Sequence, residues 1–347
     1  MRQIRTYTQV KEDDAMDIVK KSIVIDALTY IPTLTDISYI DRLLAAGVVT
    51  GIHVTMAEPS AESGLAFSRV AEWRKTILGS DKLLLVNEAE DIEKAKAKNA
   101  IAIIGGFQNT TPIEHDLRLL EAFHKLGVRI LQIAYYEQNY AGSGCYEGYN
   151  RIDSGLTYFG ERIVEECNKL GVLIDLSHCS DKTTLDATEC SKDPVAITHA
   201  ASRTMCDGFR NKPEEVIKAV AEKGGIIGVF AWSPFCELKK GVRPTVDDYI
   251  AHLVHMVDLV GIDHVGLGLD LSPGWPKGDF EAWASQYPEL VRHYTYENRV
   301  AKGIEDHVSG IINITRGLMA QGYSENEIKK ILGENWLRLF KIVWKKY

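Results

Sequence analysis

The stretch Leu170-Gly171-Val172-Leu173-Ile174-Asp175-Leu176-Ser177-His178 decides how this chain is read. Residues 172–177 form a short, nearly continuous apolar run, preceded by an amphipathic stretch over 160–170 and closed by a histidine. A strand with one wet face alternates apolar and polar side chains, whereas an unbroken apolar run suits a strand covered on both faces, as in a parallel sheet. The same pattern recurs at 23–26, 51–56, 100–106, 130–135, 195–199, 225–230 and 264–270. Between the runs lie amphipathic stretches at 36–46, 64–78, 113–126, 213–223, 246–260 and 298–321. Eight such strand runs with helical stretches between them predict an α/β fold, a (β/α)8 TIM-type barrel. An extra strand and helix are expected over 82–99, inserted before the third barrel strand, and a helical cap over 324–345. No Pro/Ser-rich linker divides the chain, which predicts one domain over 1–347.

Composition narrows the partners. A net charge of -8 and the absence of a Lys/Arg stripe interleaved with aromatics argue against nucleic acid. No apolar run approaches the ~20 residues of a membrane span, and the N-terminal stretch is too charged for a signal peptide. A cytoplasmic setting is expected. The six cysteines, 145, 167, 179, 190, 206 and 236, have no CxxC spacing, so neither a disulfide framework nor a zinc knuckle is expected. No GxGxxG or GxxxxGK[ST] follows a strand, which removes dinucleotide and nucleotide cofactors. A small-molecule substrate remains, with a homodimer as a possible assembly.

In such a barrel the last residues of each strand and the loops after them line the active mouth. The strand ends here hold Asp26; Thr55 and Met56; Phe107, Gln108 and Asn109; Tyr135, Tyr136, Glu137 and Asn139; His178; His199; Trp232; and Asp270. His178 and His199 end consecutive strands, so their imidazoles could meet at one divalent ion. Asp270 could serve as a third ligand or a proton acceptor. Either histidine alone could equally well hydrogen-bond within a polar mouth. The other eight histidines read as surface or packing groups; His53 lies inside a strand and could face either way, and His307 falls on an expected helix.

The motifs resemble the membrane (renal) dipeptidase family of zinc peptidases. The likeness is carried by Leu126-Gly127-Val128-Arg129, by Gly155-Leu156-Thr157-Tyr158-Phe159-Gly160, and by the opening stretch through His178. It continues through Pro194-Val195-Ala196-Ile197-Thr198-His199, Arg210-Asn211, residues 264–270, and Ile331-Leu332-Gly333-Glu334-Asn335-Trp336. The resemblance implies a metallo-dependent-hydrolase-like (β/α)8 barrel with two metal ions. His178 and His199 match the second ion's histidines, Arg210 the arginine that binds the substrate carboxylate, and Asp270 the acidic residue of the last strand. The family's Asp-Gly-His-Asn-Asp corresponds here to Asp26-Ala27-Leu28-Thr29-Tyr30, so both first-ion ligands are replaced. Ile104 stands for the bridging glutamate, and Tyr135 for the histidine at the substrate carbonyl. Leucine and isoleucine cannot coordinate a cation, so at most one ion, zinc or another divalent, is expected, with none as the alternative.

Polar groups surround the substituted positions, which points to a remodelled pocket. Asp270 and Tyr135 are the expected proton acceptor and oxyanion donor. Arg210, Tyr136, Gln108, Asn109 and Asn139 are the expected substrate contacts, and His178 and His199 the metal ligands. The leading expectation is a dipeptidase-like amidohydrolase acting on a dipeptide or small carboxylate-bearing amide. A metal-independent enzyme acting on an amino-acid-derived or methylated-amine compound is the second, since fifteen tyrosines are compatible with an amine pocket. A non-catalytic small-molecule binder on the same barrel is the third.

Overall fold

A computed structural model describes residues 6–32 and 37–344. The expected start of one helix at Asp36 and end of the cap at Lys345 lie outside the described residues. Nine parallel strands form one sheet: β1 (Ile25–Thr29), β2 (Gly51–Thr55), β3 (Leu83–Leu85), β4 (Ile101–Phe107), β5 (Val128–Gln132), β6 (Leu173–Asp175), β7 (Ala196–Ala200), β8 (Ile226–Val229) and β9 (Val265–Leu267). Their order is β1-β2-β4-β5-β6-β7-β8-β9. Beyond β9, Asp270 N donates to Leu28 O at 3.0 Å and Tyr30 N to Leu271 O at 2.8 Å, which brings the barrel back to β1.

The strand β3 and the helix Glu90–Ala97 occupy the region expected to carry an insertion. β3 fits because β4 is long enough to serve two partners on one edge. Its Ile101–Ile103 segment pairs with β3, and its Gly105–Phe107 segment pairs with β5. Two registers shift from the sequence reading. β1 runs later than expected, so Asp26 lies within the strand and not at the mouth, and β5 ends at Gln132, leaving Tyr135 in the following loop.

Buried Asp26 closes the seam. Its Oδ1 accepts from Leu269 N at 2.7 Å and Leu28 N at 3.3 Å, and its Oδ2 accepts from Thr29 Oγ1 at 2.8 Å. The carboxylate also pairs at 2.8 Å with His307, at the start of the helix His307–Ala320, and both side chains are wholly buried. A buried carboxylate of this kind is sustained only when its lone pairs are satisfied, as these are.

Below the mouth, Ala27, Ile104, Ile130 and Leu173 pack with Trp336 and Phe340 of the helix Asn335–Val343, which plugs the floor. Glycines admit this plug and the β7 backbone. A Cβ on Gly266 would come within 2.3 Å of Trp336 Nε1, and one on Gly268 within 1.8 Å of Thr198 O. Gly268→Ala is therefore expected to destabilise the barrel by about 1–3 kcal/mol, measured by urea unfolding. An unchanged midpoint would show that the carbonyl beside the site can move away freely. No helix among the described residues is long and apolar enough to cross a membrane.

Candidate active site

The site is built where β6 and β7 end. β6 stops at Asp175, and the turn after it carries His178. In β7 the pairing register shifts between Ile197 and Ala200. Such irregularities re-aim side chains, and here the shift falls at His199. Buried Asp175 ties the two features together. Its Oδ1 accepts from Ser177 N at 3.0 Å, Thr198 N at 3.0 Å and Ser177 Oγ at 2.5 Å, while Oδ2 accepts from Thr198 Oγ1 at 2.8 Å. Four donors on one carboxylate fix the turn and the shifted strand as a unit.

The hydrogen bonds then dictate the tautomers. Because the Thr198 hydroxyl donates to Asp175, its oxygen accepts from His199 Nδ1–H at 2.8 Å. His199 Nε2 is left as an acceptor, facing Gln108 Nε2 at 3.2 Å and His178 Nε2 at 2.8 Å. His178 must therefore donate from Nε2, and its buried Nδ1 has no protein partner. Burial first, and the nearby Arg210 charge second, hold both imidazoles well below the usual histidine pKa. Both rings are neutral.

The residues present do not fit the two-ion centre implied by the family resemblance. Leu28 and Ile104 are fully buried, Ile104 in the apolar floor cluster, and Tyr30 lies on the cavity wall. Two imidazole nitrogens on one tetrahedral zinc stand about 3.3 Å apart, whereas the 2.8 Å between these Nε2 atoms is a hydrogen bond. Among the described residues, no group of three or more His, Cys, Asp or Glu side chains is placed to hold an ion.

A cavity of about 570 Å³ opens at this end of the barrel. Its walls include His178, Arg210, Asp270, Tyr135, Tyr136, Gln108, Asn109 and Asn139, while His199 lies just behind His178 and Gln108. Such a volume is in the range of small-molecule sites. Arg210 is buried, donating from one guanidinium nitrogen to Ser177 O at 2.8 Å and from the other to His199 O at 3.1 Å. Two of its five N–H donors are thus engaged by backbone, and among the described residues no carboxylate pairs with it. Asp270 sits beyond β9 in a left-handed conformation with φ of 57°. Burial raises its carboxyl to about 6 against the pull of Arg210, with Asp26 adding to the rise. Tyr135 stacks on His178 at 4.2 Å and touches Tyr136 at 4.0 Å, and burial keeps both phenols protonated.

Asn109 and Asn139 line the cavity, yet their amides brace loops. Asn139 Nδ2 donates to Asn109 Oδ1, Thr110 Oγ1 and Ile133 O at 2.7–2.9 Å, and its Oδ1 accepts from Ala141 N and Gly142 N at 2.7 and 3.0 Å. Asn109 Nδ2 donates to Pro59 O at 2.9 Å and Thr111 Oγ1 at 2.8 Å. These bonds fix the shape of the loops that carry both residues to the cavity wall.

Sequence reasoning missed several neighbours. His53 points inward, its Nδ1 on Ala27 O at 2.6 Å, through space that exists because residue 106 is glycine. His307, read as surface or packing, is the buried partner of Asp26 and meets the Tyr39 hydroxyl through Nδ1. Buried Lys212 bonds Cys179 O just after His178. The outer wall comes from the segment 272–290, whose Trp275, Trp283 and Tyr287 line the cavity. The available signal was the aromatic density of that segment outside any strand.

Comparison with known proteins follows the same lines. A family model described as membrane dipeptidase (peptidase family M19) matches residues 13–300. The chain is 28% identical over 267 residues to the dipeptidase tcpJ of Claviceps purpurea (strain 20.1), covering 77% of this chain and 56% of that protein. It is 28% identical over 287 residues to dipeptidase 3 of Homo sapiens, covering 81% and 52%. The chain thus spans about half the length of the curated relatives it matches. Among solved structures, an amidohydrolase from Pseudomonas aeruginosa superposes with a TM-score of 0.85 at 31% identity, covering 96% of this chain and 99% of that one. A Rhodobacter sphaeroides metallo peptidase, liganded with a phosphinate mimic of the dipeptide L-Ala-D-Ala, shares the fold at a TM-score of 0.75 and 20% identity, covering 93% and 100%.

Proposed function

The chain belongs to the membrane dipeptidase family, peptidase family M19, and from that membership we propose that it hydrolyses a small carboxylate-bearing amide of dipeptide size without the two-ion centre. The observation that carries this reading is that Arg210, Asp270 and Tyr135 line one cavity at the C-terminal mouth of the barrel. A buried guanidinium with no carboxylate partner among the described residues suits a bound carboxylate. Asp270, with a carboxyl near 6, is ionised at neutral pH yet basic enough to take a proton from water. That water adds to the amide carbonyl carbon, and the Tyr135 hydroxyl donates to the developing oxyanion. Asp270 then returns its proton to the amide nitrogen as the C–N bond breaks, releasing an amine and a carboxylic acid whose remaining proton passes to the amine or to solvent.

His178 and His199 enter this scheme as a neutral, mutually bonded pair that positions Tyr135 and Gln108. Six unpaired cysteines support a reducing, cytoplasmic setting. The test is elemental analysis of protein purified without chelators, alongside a dipeptide hydrolysis assay before and after dialysis against a chelator. Less than one divalent equivalent per chain is expected, with the rate unchanged by dialysis. Two tightly bound equivalents, or a rate abolished by chelation and restored by zinc, would overturn it.

A further inference from the structure

One wall of the cavity is aromatic and continuous. Tyr30 meets Trp275 at 5.1 Å and 72°, Trp275 meets Trp283 at 5.3 Å and 57°, and Trp283 meets Tyr287 at 6.1 Å and 43°. Tyr287 meets Tyr136 at 5.7 Å and 45°, and Tyr136 meets Tyr135 at 4.0 Å and 49°. All six rings line the same cavity. None of the five contacts is coplanar, so the wall curves round the space and does not form a flat stack. Trp232 also lines the cavity, 6.3 Å from Trp283, its indole N–H held by Leu290 O at 2.9 Å.

Such a wall presents negative ring faces to whatever occupies the cavity. A methylated ammonium donates few or no hydrogen bonds, spreads its charge over methyl groups and gains from the ring faces. Asp270, Glu58 and Glu137 add carboxylates to the lining, and Arg210 is its one guanidinium or lysine cation among the described residues. Burial keeps the Tyr30, Tyr135 and Tyr136 phenols protonated, so the rings stay neutral.

We infer that this aromatic corral takes a quaternary or N-methylated ammonium, so that the ligand is a zwitterion with its carboxylate on Arg210 and its methylated cation among the rings. The inference deepens the hydrolase reading and rests on it for the amide lying between the two ends. Binding is testable without turnover.

The test uses intrinsic tryptophan fluorescence of the full chain, titrated with N,N,N-trimethylglycyl-glycine, with its carbon isostere 3,3-dimethylbutanoyl-glycine, and with glycyl-glycine. The trimethylated cation is expected to bind about tenfold or more tighter than the isostere, and tighter than glycyl-glycine. In Trp283→Leu, a half-buried position, the preference over the isostere should fall severalfold; Trp275→Leu is the second variant should the first not fold. Equal affinities for cation and isostere in the unaltered protein would overturn the corral, as would tighter binding of glycyl-glycine. A retained preference with no hydrolysis of any of the three would confirm the corral and sink the hydrolase reading. Hydrolysis of all three with equal affinities would do the reverse.

Discussion

Replacing Asp270 by Asn is expected to lower kcat/KM for amide hydrolysis by about 10²–10⁴-fold while leaving the barrel folded. The amide fills the same space and keeps the backbone in place, but it cannot accept a proton from water. The pH profile makes the assignment specific. With the base active only when ionised, kcat/KM of the unaltered protein should rise as pH passes through about 6, and that limb should vanish in the variant. A full drop in rate with the limb intact would move the base elsewhere.

The same carboxyl leaves a trace in stability, and its sign is opposite to that of a salt-bridged aspartate. Because its pKa is raised in the folded state, the native protein holds the proton more tightly than the unfolded chain. That contribution is fully present below the unfolded value near 4 and is lost as pH rises through about 6. Asp270→Asn should therefore melt higher than the unaltered protein at pH 8, by on the order of one to a few degrees, with the gap closing towards pH 4. The residue at the mouth would then be one held there for chemistry at some expense of stability.

Much of this architecture could be read in advance because strand runs covered on both faces leave an unbroken apolar signature. His178, His199 and Asp270 were placed at the mouth on that basis, and they lie at the ends of β6, β7 and β9. Asp26 was placed at a strand end because the first strand was read as 23–26, yet it sits inside β1, where backbone N–H groups of β1 and of the segment after β9 satisfy it. Only closure of the barrel, a contact spanning 243 residues, brings the second donor to it. Asn109 and Asn139, expected as substrate contacts, line the cavity, and there they also brace each other although 30 residues apart in sequence, a bond the sequence alone does not show.

The aromatic wall was hidden for a related reason. Its rings come from the residue after β1, from the loop after β5, from the helix Lys277–Gln286 and from the turns on either side of that helix. No single stretch shows the enclosure, and tyrosine count alone cannot tell a corral from core packing. The departures from the family ligand set were legible residue by residue, because coordination chemistry is a property of each side chain: Leu28 and Ile104 have no donor atom. What replaced that chemistry needed the fold.

Arg210 supplies the second large effect. Arg210→Lys is expected to raise KM for a carboxylate-bearing substrate by on the order of 10²-fold, with a smaller change in kcat. Lysine keeps the charge but not the planar fork, which here bonds Ser177 O and His199 O and offers its remaining donors to the cavity. Those backbone bonds mean that substitution could loosen the turn under His178, so a fall in affinity alone would not separate recognition from scaffolding. A paired ligand does. The C-terminal amide of the same dipeptide has no carboxylate for Arg210 to hold, and a scaffolding defect would weaken acid and amide alike. The unaltered protein should favour the acid by on the order of 10²-fold, and Arg210→Lys should lose most of that preference while binding the amide nearly as before. Equal loss for both ligands would assign Arg210 to holding the loop, and the carboxylate would need another anchor.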